Sequence, residues 1–218
     1  MTLLLCDPAQ SQITTPAGLV PGDEFRIAFT TLEPNTATST SISFYDNIIQ
    51  TEADAAGLGT YDGSPVTWMV LGSTATVSAV SRLPMDNVPI YLPSGTEVAA
   101  GGAQLWNTAN TPLLSGINEY PTGGGPVTQG IFTGTTSDGQ IAPDNYLGVG
   151  SSDTSYVADG RTDMTGTGWV ALGETFAVGE ENLDGFSQVL TVEAVPEPAS
   201  LCLLGLGAAA LLLRRRKA

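Results

Sequence analysis

The chain ends in a segment unlike anything before it, and that segment limits how much of the sequence can belong to a folded core. Val195-Pro196-Glu197-Pro198 is followed by 15 uncharged, mostly apolar residues from Ala199 to Leu213, then by Arg214-Arg215-Arg216-Lys217 and the terminal Ala218. At about 1.5 Å of helix rise per residue, such a run is shorter than the roughly 20 residues that cross a hydrocarbon layer of about 30 Å. The two prolines fix φ and lack backbone donors, so a helix begins no earlier than Ala199, while the basic side chains can snorkel and lengthen the effective span. A short transmembrane helix is therefore expected over 199–213, stopped by residues 214–217. Four cations at one end and none at the other predict, by the positive-inside rule, a cytoplasmic C-terminus. Residues 1–195 would then form an extracellular domain, and 196–218 a separate tail.

This tail resembles the PEP-CTERM sorting signal, with Pro196-Glu197-Pro198, a membrane stretch and an arginine cluster matching in order and spacing. The resemblance covers the last 24 residues. It implies that an exosortase, a membrane-embedded cysteine protease of Gram-negative bacteria, recognises Pro196, Glu197 and Pro198 and removes the tail. Glu197 would then be a recognition residue rather than a catalyst. The inner membrane before processing, and the cell surface or exterior afterwards, are the expected locations. An uncleaved single-pass anchor, with Arg214, Arg215, Arg216 and Lys217 as its membrane stop, is the other reading of the same residues.

Charge narrows the partners of the body. Residues 1–195 contain 21 acidic residues against Arg26, Arg82 and Arg161, with no lysine or histidine, a formal charge of −18. Phosphate backbones bind through Lys and Arg that displace counterions, so nucleic acid is excluded as a partner. Cys202 lies in the tail and Cys6 at the start, which leaves the body no internal disulfide pair. Thr2 to Cys6 read as the end of a signal-peptide h-region whose true start lies upstream.

About 190 residues rich in Gly, Thr and Ser suit one loop-rich domain without an internal repeat. Phe25 to Thr30 alternates like a half-buried strand. Ile42, Tyr45, Ile49, Ala53 and Ala56 recur at helical spacing, and Gly57 is placed to end that helix in a left-handed conformation. Val66 to Leu71 reads as a strand, Val88 to Leu92 with Thr96 to Val98 as a hairpin, and Ala103 to Trp106 as a helical turn. Gly130 to Gly134, Gly168 to Val170 and Ser187 to Val192 read as further strands. The fold class is α+β, a single domain with an irregular second half.

The order of these pieces resembles the endostatin-like branch of the C-type lectin-like fold. The residues that carry the resemblance are Ala53 to Leu58, Val66 to Leu71, Ile90 to Gly95, Phe132 to Gly139 and Val189 to Val192. This chain departs from that pattern in having no disulfides, no basic heparin-binding face and no histidine for zinc.

Candidate binding residues are few. Asp138, Asp144 and Asn145, with Asp153, Asp159 and Asp163 nearby, crowd one loop-rich stretch and offer hard oxygen ligands for Ca²⁺, although their spacing matches no EF-hand and Asp-Gly turns explain them equally. Glu33-Pro34-Asn35 reads as a turn. Trp68 and Trp169 sit in apolar segments and are expected in the core, which leaves Trp106, beside Asn107, as the candidate ligand contact. Adjacent acids such as Asp23-Glu24 and Glu180-Glu181 do not by themselves face across a substrate, and no histidine, nucleophile elbow or phosphate loop occurs. The expectation is a non-enzymatic surface protein associated with extracellular polysaccharide, or else a carbohydrate-binding lectin-like module, calcium-dependent if the aspartates gather.

Overall fold

The structure, a computed structural model, describes residues 12–107 and 109–194. The strand expected at the start is β1 (Glu24–Thr30), and every residue of it after Glu24 is buried. It is therefore not half-buried but covered on both faces. Phe25, Ile27 and Phe29 face one apolar cluster together with Tyr45, Ile49 and Trp68. Ala28 faces a second, with Leu83, Ile90 and Phe186. The alternation in the sequence records polar residues that find partners inside. Arg26 makes a two-point ion pair with Asp86, at 3.0 and 2.8 Å.

The helix α1 (Ile42–Ala55) buries Tyr45, Ile49 and Ala53, the stripe that its spacing predicts. It ends as expected. Gly57 has φ +81°, its N–H bonds to the Asp54 carbonyl, and the Leu58 N–H reaches back to Ala53, a Schellman closure. The next segment folds as β2 (Thr60–Tyr61), a turn at Asp62-Gly63 and β3 (Ser64–Pro65). The expected strand after it is β4 (Trp68–Val70), which lies at one end of the main sheet. An edge strand with bare N–H groups invites association. Here α1 covers it, because Gln50 accepts from Trp68 N at 2.9 Å and Asp46 from Val70 N at 2.8 Å. A short helix α2 (Ala79–Arg82) supplies Arg82, which holds Asp46 in place at 2.7 Å.

The expected hairpin is present as β5 (Ile90–Tyr91) and β6 (Glu97–Ala99), and the helical turn as α3 (Gly102–Leu105). The second half contains β7 (Gly130–Phe132), β8 (Tyr156–Arg161) and β9 (Gly173–Phe176), followed by β10 (Asp184–Ser187) and β11 (Leu190–Thr191). The main sheet runs β4-β10-β1-β5-β6, with β11 also on β1, and β7-β8-β9 form a separate antiparallel sheet. Only the β1–β5 pairing in the main sheet is parallel.

Two expectations are corrected. Gly168 to Val170 is not a strand but part of a 3₁₀ turn (Thr167–Trp169), which lays Trp169 over Gly160 so closely that a Cβ there would meet the Trp169 carbonyl. The closing strand is not continuous. β10 and β11 pair with different stretches of β1, and between them the Ser187 hydroxyl, rather than a backbone carbonyl, accepts from Ile27 N at 2.9 Å. Among the described residues no helix is long and apolar enough to cross a membrane. The expected transmembrane helix at 199–213 and the signal-peptide remnant at 2–6 lie outside the described residues, as do Pro196, Glu197, Pro198, Arg214, Arg215, Arg216 and Lys217.

Candidate functional site

The body positions its polar groups mostly by neutralising them. Each of its three arginines sits against one aspartate: Arg26 with Asp86, Arg82 with Asp46, and Arg161 with Asp163. Burial alone would raise the Asp86 carboxyl, but the Arg26 guanidinium and nearby backbone N–H groups hold it below the usual carboxylate range. No body cation is left over for an anionic ligand among the described residues.

Trp106 does not serve as an exposed ligand contact. It is 3% exposed, donates its indole N–H to the Leu83 carbonyl at 2.6 Å, and packs against Trp169 at 5.9 Å between ring centroids. The aromatic ring is large and its one polar atom is satisfied inside, so the core takes it. Asn107 beside it is exposed, and its side-chain oxygen accepts from Asn110 within the same turn. Trp68 and Trp169 are buried as expected.

Crowding of acids along the sequence does not become crowding in space. Among the described residues no three histidine, cysteine, aspartate or glutamate side chains gather closely enough to hold a metal ion. The Thr136 hydroxyl engages Asp138 and holds its carboxyl below the ordinary value. Asp144 is an exposed turn residue with φ +61°, and Asn145 donates to the Tyr156 carbonyl at 3.2 Å. The donor set at Asp138, Asp144 and Asn145 therefore does not fit calcium, which wants six or more converging oxygens.

Two carboxyls are strongly perturbed, and the sequence singled neither of them out for it. Asp184, on β10, is fully buried, and burial pushes it up to about 8 despite the Thr30 hydroxyl within 2.7 Å. Its second oxygen has no partner. The Thr30 hydroxyl also lies 2.7 Å from the Ile117 carbonyl. One hydroxyl proton cannot serve both acceptors, so a protonated Asp184 that donates to Thr30, with Thr30 donating to Ile117, makes these two contacts compatible. Glu181 is pushed up to about 7, first by burial, with the Thr175 hydroxyl opposing and the neighbouring Asp159 charge adding. Thr175 donates to Asp159 at 2.7 Å, and Asp159 and Glu181 each keep one buried oxygen without a partner.

The exposed aromatic surface lies elsewhere. Tyr156 and Phe176 are direct cross-strand partners on β8 and β9, their rings 4.6 Å apart between centroids and tilted by 34°. They are 41% and 42% exposed. Ala158 and Glu174, also cross-strand partners, share their face by the period of two. Val157 and Asp159 take the opposite face, and Val157 is fully buried. The outward face borders a groove of about 700 Å³, lined by Thr136, Pro143, Asn145, Ala158, Leu172 and Glu174 among others.

Residues 194–217 match the family model described as the PEP-CTERM protein-sorting motif. The match spans the same three parts read above, and it indicates exosortase-targeted sorting, with exosortase as the processing partner. It implies a secreted or cell-surface protein of Gram-negative bacteria, processed at the membrane. No curated protein matches the chain.

Proposed function

We propose that this chain is an exported, non-enzymatic protein whose tail is a disposable address and whose body associates with extracellular polysaccharide. The observation that carries the reading is the tail itself, in which motif, apolar segment and basic stop follow one another within residues 194–217. In the proposed route, residues 199–213 insert with Arg214 to Lys217 on the cytoplasmic side, Pro196-Glu197-Pro198 is presented to exosortase at the outer face, and cleavage frees the body. A body charge of −18 keeps such a domain soluble and repels other anionic surfaces. The non-enzymatic part is supported by where the two perturbed carboxyls lie: Asp184 is sealed in a strand, and Glu181 keeps an oxygen shut off from water.

The test is the intact mass and cell fraction of the protein in its host, with and without active exosortase. A mature form lacking the segment after the motif, found only when the protease is active, is the expected result. A full-length chain that stays in the cytosol would overturn the proposal.

A second reading, a carbohydrate-binding module of C-type lectin-like fold, is favoured by element order. The helix ending at Ala53 to Leu58, the strand β4, the hairpin β5–β6, the strand β7 and the last strand β11 follow in the sequence expected of that fold. Calcium forms no part of this reading, since the aspartates that would bind it are dispersed.

A further inference from the structure

The geometry points to the outward face of β8–β9, with Tyr156 and Phe176 at its end and the adjoining groove beside it, as a binding site for a neutral polysaccharide. The inference rests on the proposed association with extracellular polysaccharide and names where and to what chemistry that association occurs.

Two observations carry it. The first is the aromatic pair. Two large rings in mutual contact, each two-fifths exposed, stand on an otherwise small and polar ribbon. Leu172 and Val178, exposed at 49% and 42%, lie on the segments that flank it. Such a cluster on a soluble domain marks a contact surface more often than scattered single residues do. A pyranose ring presents an apolar C–H face and a rim of hydroxyls, so it needs both an aromatic surface and nearby hydrogen-bonding groups.

The second observation is the polarity of the groove. Glu174 projects from the same face as Phe176, and the amide of Asn145, with one N–H given to the Tyr156 carbonyl, keeps its second N–H and its oxygen for a ligand. The wall thus offers both donors and acceptors, which sugar hydroxyls, each a donor and an acceptor, can meet. All three body arginines are already paired, and the groove wall carries the Glu174 carboxylate, so a uronic or sulfated glycan would meet repulsion without a compensating cation. A glycan without charge meets none. The volume of about 700 Å³ is in the ordinary range of ligand clefts.

The test is affinity electrophoresis of the full-length chain in mild detergent, through gels containing a neutral glucan, a neutral mannan or an anionic alginate. Retardation by at least one neutral polymer and not by alginate is expected. Tyr156→Ala and Phe176→Ala should each weaken the retardation at least tenfold, and Phe44→Ala, which removes an exposed ring on α1, should not change it. Retardation that survives both β8–β9 substitutions would overturn this site while leaving polysaccharide association standing. Absence of retardation by any of the polymers would overturn the association itself. Concentration-dependent dimerisation that Tyr156→Ala abolishes, without retardation, would assign the face to a second copy of the chain.

Discussion

The main sheet and the β8–β9 ribbon are built from the same kinds of residue yet treat them oppositely. In β1 both faces are covered, so its arginine is ion-paired and its threonine is bonded inside. In β8 and β9 one face is open only at its end, where Tyr156 and Phe176 are two-fifths exposed, while Ala158 and Gly160 further along β8 are buried. Aromatic rings are anchors in the first case and free contact surface in the second. The molecule thus buries most of its large apolar residues at the centre and leaves a few exposed at the periphery.

Paired aromatic truncations test that contrast most directly. Phe29→Ala removes a fully buried ring packed 4.8 Å from Trp68 and should cost about 3–5 kcal/mol in denaturant unfolding. Next in size, Asp86→Ala strands the Arg26 guanidinium, whose side chain is only 7% exposed, and should cost about 3 kcal/mol by the same measurement.

The pH dependence comes third. Asp184 and Glu181 have folded-state values raised above their ordinary 3.8 and 4.5, so the folded state holds their protons more tightly than the unfolded chain does. Their contribution is fully present at low pH and is lost as pH rises, through about 7 for Glu181 and about 8 for Asp184. Stability measured from pH 5 to 9 should therefore fall. Asp184→Asn, which cannot ionise, should gain about 4 kcal/mol relative to the parent between pH 5 and pH 9, at about 1.4 kcal/mol per pH unit up to about 8. A parent whose stability rises from pH 5 to 9 would contradict the buried, protonated assignment. The smallest effect closes the comparison: Phe176→Ala should change stability by about 1 kcal/mol, because the residue is already two-fifths exposed.

Elements with strong local signals were legible. The stripe of α1, its glycine stop and the apolar run of β4 each act over a few residues, and the structure contains all three. The strands β8 and β9, Tyr-Val-Ala-Asp-Gly-Arg and Gly-Glu-Thr-Phe, contain too few β-branched or aromatic residues to declare themselves. They are strands because each supplies the other with hydrogen bonds. The exposed pair was illegible for the same reason, since Tyr156 and Phe176 become neighbours only through that register. Trp106 was misread in the opposite sense: polar Asn107 lies beside it, but the segments that bury it, around Leu83 and Trp169, are distant in the chain.

By itself, the sequence determined the delivery route, the acidic charge of the body and the main helix. An address tail is read by order and spacing along the chain, net charge is a sum over residues, and a helix stripe repeats within a few turns. Only the tertiary structure decided which tryptophan is core, that the crowded aspartates disperse, which carboxyls lose their water, and which aromatic face stays open. Burial of a side chain is set by neighbours brought from elsewhere in the chain, and no local pattern carries that information.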